Sequence, residues 1–321
     1  MTSSVSTLSN IRYAEDEQEL GRRVLDIYMP ANVKTGVKLP MILYIHGGGW
    51  IVGSKTSSRE PARALADEGY VVFAPSYTLT NLDEDQLKNI LLLILVILSA
   101  VAITSPSRRQ MLFVLLLMTV ALTVVCALFV LGGDQSHIHH PQHIQDIAQS
   151  FRWMVDHADM YHGDVDKIVV SGHSAGGHLA SLLCTNKTYL EQVGLSASMV
   201  KACIPISGVY SDERLRSTSL GTELLRAAFT QETSRHRDAF PIYHVTSQTC
   251  PFLLINAKGN DISLKPHSHD FFYVLRSKGV YVEMYYQPDT NHFSVNRSVG
   301  KGQRNHSLIE KIDQFVKEVL N

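Results

Sequence analysis

The chain has 321 residues, with 29 Lys and Arg against 30 Asp and Glu and a formal net charge of −1. That length suits one α/β domain carrying an insertion, and the balanced charge argues against the basic footprint that a nucleic-acid partner requires. Four cysteines, Cys126, Cys184, Cys203 and Cys250, lack framework spacing and read as packed thiols rather than bridges.

In chain order, the first strong element is the β-branched and aliphatic run 41–45, read as a strand. It enters His46-Gly47-Gly48-Gly49-Trp50. A glycine loop after a strand can aim bare backbone N–H groups at a developing oxyanion. Gly48 and Gly49 are therefore candidate oxyanion-hole donors, and His46 reads as a brace for the loop rather than a proton carrier. A helix is expected over 59–67 and a strand over 71–75. The next helix begins near Pro141 and runs to about Asp156.

The most informative run is Gly172-His173-Ser174-Ala175-Gly176, preceded by a strand at 167–171 and followed by a helix over 175–185. Strand, G-x-S-x-G turn and helix together describe a nucleophile elbow, which lifts a serine Oγ above the sheet. Ser174 is the candidate nucleophile, and the amide of Ala175 the third oxyanion donor. Further on, the buried strand 252–256 leads into a turn carrying Asp261. A helix over 267–277 and a strand over 281–286 follow, and then His292 in a loop 31 residues beyond the aspartate. The order Ser…Asp…His assigns Ser174 as nucleophile, His292 as general base and Asp261 as its orienting acid. A last helix spans 307–319.

The chain holds 15 histidines. His173 and His178 read as local packing or hydrogen-bonding groups. His137, His139, His140 and His143 resemble a metal tract by composition, but no cysteine or acid is spaced with them as a zinc site needs, so they read as a solvated loop entering a helix. The chemistry calls for no metal or organic cofactor.

These residues resemble the α/β-hydrolase fold, and within it the carboxylesterase/lipase group that includes hormone-sensitive lipase-like enzymes. HGGGW followed by Gly53 and Lys55, together with GHSAGGHLA, is most similar to small esterases of the kynurenine formamidase-like and isoprenylcysteine methylesterase-like branch. Leu25-Asp26-Ile27-Tyr28-Met29-Pro30 resembles the early strand and proline of that branch. The resemblance covers roughly 11–80 and 138–320. It implies a mostly parallel sheet with helices on both faces and hydrolysis through an acyl-enzyme. The helical cap built from the N-terminal region is expected to be small or absent.

One segment departs from that pattern. The hydrolase domain is expected over 1–81 and 137–321, and the insertion 82–136 contains two apolar stretches, 90–104 and 111–131, where related enzymes use a short loop. The second is about 32 Å long as a helix and can span a bilayer; the first, at about 22 Å, is short. Arg108 and Arg109 lie between them. A membrane-embedded hairpin is the favoured reading, with a soluble lid or acyl-binding cap and a gene-model artefact as the competitors. The arginines and the sequons at Asn186, Asn296 and Asn305 lean toward a luminal or external hydrolase, while the absence of a signal peptide leans the other way. The expectation is membrane association, with the endoplasmic reticulum as the candidate membrane and the side left open.

The function expected is a membrane-anchored serine carboxylester hydrolase acting on a small or lipid-like ester. An arylformamidase-like amide hydrolase or small peptidase with the same triad is the alternative, and an inactive hydrolase-like scaffold the third reading. Trp50, Phe73, Phe293 and the segment 209–230 are the candidate pocket walls.

Overall fold

The structure, a computed structural model, describes residues 5–14, 22–82, 138–229, 236–259, 264–300 and 306–321. The strands are β1 (Val5–Arg12), β2 (Val24–Pro30), β3 (Leu39–Ile45), β4 (Val71–Pro75), β5 (Gly163–His173), β6 (Val200–Ile206), β7 (Phe252–Ala257) and β8 (Val282–Gln287). They form one eight-stranded sheet in the order β1-β2-β4-β3-β5-β6-β7-β8. β1 and β2 run antiparallel to their neighbours, and every pairing from β4 through β8 is parallel. The larger helices are α1 (Arg59–Asp67), α2 (Gln142–Asp156), α3 (Ala175–Thr185), α4 (Ser219–Phe229), α5 (Lys265–Ser277), α6 (His292–Ser298) and α7 (His306–Leu320).

The inner strands β3, β4, β6 and β7 are apolar on both sides because both faces of the sheet are covered there. On β3, Met41, Leu43 and Ile45 join one core, and Ile42 and Tyr44 join the other; β7 divides the same way, Phe252 and Leu254 against Leu253, Ile255 and Ala257. The first core is closed by α2, α3, α4 and α5 through Ile144, Phe151, Leu179, Leu183, Phe229 and Phe271. The second is closed by α1, α6 and α7 through Leu65, Val295, Ile312 and Phe315. This is the α/β-hydrolase architecture that the motifs imply. Open parallel sheets bind ligands beyond the C-terminal ends of their strands, and the glycine loop, Ser174 and His292 all lie there, after β3, β5 and β8.

The sequence leaves two strands unannounced. β1 is mostly polar and mostly solvent-facing, its apolar residues Val5, Leu8 and Ile11 lack the strand period, and it lies at the sheet edge beside β2. β6 carries Pro205 within it, yet is buried along nearly its whole length between β5 and β7. Proline normally argues against a central strand, so that pattern masks β6.

The apolar stretches 90–104 and 111–131, with Cys126, Arg108 and Arg109, lie outside the described residues. Among the described residues no helix is long and apolar enough to cross a membrane. The residues on either side of the insertion are described, and they meet. Thr80 Oγ1 lies 2.9 Å from His143 Nε2, and Asp146 Oδ2 accepts from the Thr78 amide at 2.7 Å. The two flanks of the insertion therefore stand side by side.

The histidine tract enters a helix at Gln142 as expected, but the junction corrects its reading as solvated. His143 is buried inside α2, and burial, with the nearby charges of His140 and His139, pushes its pKa down to about 3. His139 Nδ1 donates to the Ala227 carbonyl at 2.7 Å, and the His140 amide to that of Ala228 at 2.8 Å. These rings and amides fasten the start of α2 to the end of α4. His137 lies outside the described residues, among which no group of three or more His, Cys, Asp or Glu side chains could hold a metal. Cys184, Cys203 and Cys250 are free thiols. Two sequons fit glycosylation poorly: Asn186 is buried and accepts from the Thr188 amide, and Asn296 accepts from the buried Tyr44 hydroxyl at 2.6 Å. Asn305 lies outside the described residues.

Candidate active site

β5 ends at His173, and the chain turns through Ser174 directly into α3. Ser174 adopts φ 56° and ψ −118°, a conformation that strains a residue with a side chain. The strain is held from both sides: the Ser174 amide donates to Ile206 O at 2.9 Å, and its carbonyl accepts from His178 at 3.0 Å as α3 begins. Gly176 allows the tight turn, because a Cβ there would stand 2.1 Å from the Ile45 carbonyl oxygen. Ala175 is the first residue of α3, so its N–H belongs to the turn of amides that the helix itself leaves without an acceptor.

The glycine loop lies beside this turn. Gly48 has φ +129°, and a Cβ on it would meet the Val52 carbonyl oxygen at 1.8 Å; its own carbonyl accepts from Ile51 and Val52 at 3.1 and 3.0 Å. Gly49 has φ +58°, with Leu224 of α4 against its open side. His46 holds the loop from beneath. Its Nδ1–H donates to Gly47 O at 2.7 Å, and its ring stacks on Tyr77 at 4.4 Å. Burial first, offset in part by that bond, lowers the His46 pKa to about 4. The neutral, buried ring fits a brace.

Lys55, part of the sequence signature, acquires a reason here. Its ammonium pairs with the buried Asp26 carboxylate of β2 at 2.7 Å, and its amide donates to Ser76 Oγ at 3.0 Å. Asp26 also accepts from the Asn10 amide at 3.0 Å and the Tyr28 hydroxyl at 3.3 Å. A buried pair of this kind fixes where a segment sits more surely than it adds stability. It ties the outgoing end of the glycine loop to the sheet.

His292 opens α6, and its Nε2 lies 3.1 Å from Ser174 Oγ. Its backbone is fixed by a capping box: Asn291 Oδ1 accepts from the Phe293 and Ser294 amides, and Ser294 Oγ accepts from the Asn291 amide. The structure thus brings together Ser174, His292 and the glycine loop. Asp261 lies outside the described residues. The stem of its turn is described: Lys258 and Gly259 donate backbone bonds at 3.0 Å each to Gln287 and Thr290, so Gly259 is bonded two residues upstream of His292.

The suggested walls divide. Trp50 is buried, edge-on to His178 and Phe229, and its indole N–H donates to His178 Nδ1 at 3.3 Å. His178 Nε2–H in turn donates to Ala239 O at 2.8 Å, and burial lowers its pKa to about 3. Phe293 is 65% exposed beside His292. Phe73 is not a wall; it is fully buried and meets Tyr161 edge-on within the core. From 209–230 it is α4 that reaches the glycine loop, through Leu224 and Phe229. The spacing of Leu220, Leu224, Leu225 and Ala228, which recurs at helical period, was the available signal for that helix.

The family described as BD-FAE matches residues 25–86 and 134–274, and the chain belongs to it. The probable carboxylic ester hydrolase LipM of Mycobacterium tuberculosis is 29% identical over 194 residues, 56% of this chain and 43% of LipM. The chain therefore spans less than half the length of that relative. Kynurenine formamidase of Salmo salar is 24% identical over 293 residues, 90% of this chain and 76% of the formamidase. Among solved structures, esterase B from Lactobacillus rhamnosis superposes with a TM-score of 0.69 at 18% identity, covering 98% of this chain and 86% of that one. That likeness is one of fold.

Proposed function

We propose that this BD-FAE family member is a serine hydrolase of carboxylic esters. The observation that carries the reading is the 3.1 Å approach of His292 Nε2 to Ser174 Oγ on a strained strand-to-helix turn beside a glycine loop. Ser174 Oγ attacks the acyl carbonyl while His292 takes its proton. The amides of Gly48, Gly49 and Ala175 receive the oxyanion. His292 then protonates the departing alkoxide, and water, activated by the same imidazole, releases the acid and restores Ser174. Asp261 is the residue we assign to orient His292, on the strength of its order in the chain and the bonding of Gly259 to Thr290.

Hydrolysis of a formamide or related amide is a second reading, favoured by the formamidase relative that matches 90% of this chain. Turnover of matched aryl ester and aryl formamide substrates distinguishes the two.

We further propose that residues 90–104 and 111–131 anchor the enzyme in a membrane and that its substrate is an amphiphilic ester. The meeting of Thr80 with His143 supports an inserted hairpin, since such an element leaves and rejoins the domain at one point. The Thr80 amide also donates to Trp50 O at 2.9 Å, which puts this junction against the glycine loop. The deciding experiment labels the full-length protein in membranes with a fluorophosphonate, beside Ser174→Ala, and then extracts with carbonate. Serine-dependent label in the extracted pellet is the expected result. Label in the supernatant would leave the hydrolase and refute the anchor, and no label would refute the hydrolase.

A further inference from the structure

His173 is the residue between the sheet and the nucleophile, and the reaction as written gives it no task. Its side chain nevertheless touches both loops that the reaction needs. On one side, His173 Nε2–H donates to the backbone carbonyl of His292 at 2.8 Å, with the two rings 4.8 Å apart and tilted by 39°. On the other side lies Gly47, at the base of the glycine loop. A Cβ added to Gly47 would stand 2.7 Å from the His173 carbonyl oxygen, 3.1 Å from its Nδ1 and 3.1 Å from Ser174 Cβ. The imidazole fills the space between the two loops, and its one donor is spent on the base's own main chain.

We propose that His173 is a positioning residue that holds the His292 loop and the glycine loop in register with Ser174. The proposal rests on the reading of Ser174 and His292 as nucleophile and base. The bond is made to the carbonyl of His292, so it fixes where that residue's Cα sits without occupying either ring nitrogen. With the capping box at Asn291 fixing the following amides, the base is held from both ends of its own residue. The direction in which Nε2 points, and hence the 3.1 Å contact with Ser174 Oγ, depends on that placement. A displacement of about 1 Å in such a contact can cost about 100-fold in rate.

The protonation state of His173 suits the task. Burial, and then the charge of a protonated His292, push its pKa down to about 3. It therefore keeps a single N–H through the cycle and adds no positive charge beside His292 when the latter becomes an imidazolium. An arginine or lysine could make the same bond to the carbonyl, but would oppose that charge in a water-poor site.

The test compares His173→Leu, His173→Asn and His173→Gln in the full-length protein. Leu fills the space without a donor, Asn carries an amide too short to reach the His292 carbonyl, and Gln carries one of comparable reach. The readouts are ester turnover, the second-order rate of Ser174 labelling by a fluorophosphonate, and Tm. That probe reports the attack step alone: the Oγ–P bond forms, fluoride leaves, and the proton passes to His292. The expected result is a fall of about 10- to 100-fold in kcat and in labelling rate for Leu and Asn, KM unchanged, with Gln restoring most of both. Labelling of the Leu and Asn variants at the wild-type rate would overturn the proposal. So would a loss that follows Tm and is not restored by Gln, which is the behaviour of a packing residue. A wild-type protein that does not label at all would overturn the hydrolase reading, and this inference with it.

Discussion

Two groups of histidines serve the glycine loop and the candidate nucleophile, and they are built differently. In the wall behind the glycine loop, His178 has both ring nitrogens engaged, one by the Trp50 indole and one by Ala239, and His143 is buried against Thr80. Burial lowers the pKa of both to about 3, so they hold the fold as neutral groups. At the site itself, His292 is placed by bonds to its backbone, from His173 and through the Asn291 cap, while its Nε2 is directed at Ser174 Oγ. A histidine that holds structure uses its ring nitrogens for that purpose. The histidine assigned to proton transfer has its backbone fixed by neighbouring residues, which leaves Nε2 for the serine.

The sharpest way to break this comparison is to remove each group in turn. Ser174→Ala and His292→Ala should each reduce ester turnover by roughly 10⁶-fold, and the double variant should be no worse than either, because the two act as a unit. Steady-state kinetics on the three proteins, with circular dichroism to verify the fold, checks this. Full additivity of the two losses would mean that the pair does not act together. Gly48→Ala comes next in size. A Cβ at φ +129° and 1.8 Å from the Val52 carbonyl forces the loop to move. The loss should resemble that of an oxyanion donor, about 10²- to 10³-fold in kcat, with the Ser174–His292 contact retained. Turnover within a few-fold of wild type would remove Gly48 from the assignment.

How much of this was legible depended on which residues carried the signal. β4 and the helices α1 and α3 lie where the apolar patterning puts them, because their sequences are regular and their ends coincide with turn residues. The elbow and the glycine loop were legible because their backbone angles demand particular residues at particular places. β6 was hidden by Pro205, and β1 by its polar, edge-strand composition. The histidine tract was misread for a different reason. Composition resembled a metal tract, and the absence of acids suggested solvent; only the return of the chain beside Thr80 shows that His143 is enclosed. Long-range contacts of this sort have no local signature. The contact of His173 with Gly47 and His292 is another, since 119 residues separate it from the carbonyl it holds.

The neutral histidines give a pH dependence of stability with a definite sign. His46 and His267 are lowered to about 4, and His143, His173 and His178 to about 3, with burial the largest cause for each. Against an unfolded value of 6.5, the unfolded chain binds more protons than the folded one between about pH 3 and 6.5. Their contribution is complete above pH 6.5 and is lost progressively as the pH falls through that window, by roughly 1 kcal/mol per histidine per pH unit. Urea midpoints measured from pH 8 to pH 5 should be flat at first and then decline. A midpoint that rises on acidification would mean that these rings are not held neutral.

His143→Leu isolates the smallest of these effects. At pH 7 the substitution takes the partner from the buried Thr80 hydroxyl, at a cost of about 1–3 kcal/mol, partly offset by the apolar side chain that replaces the ring. It also deletes one group that takes up a proton on unfolding. Below pH 6.5 the wild-type protein is penalised for that uptake and the variant is not. The deficit of the variant should therefore shrink by about 1 kcal/mol for each pH unit, so that the two proteins approach one another near pH 5. Urea midpoints of the pair at pH 7 and pH 5 measure the change directly. The rate of Ser174 labelling should be the same in both, because His143 touches neither the nucleophile nor its base. A constant deficit would mean that His143 is already charged in the folded protein. A slower labelling rate would mean that the insertion junction and the reacting serine are coupled, and the division between holding and proton-moving histidines would fail at its plainest case.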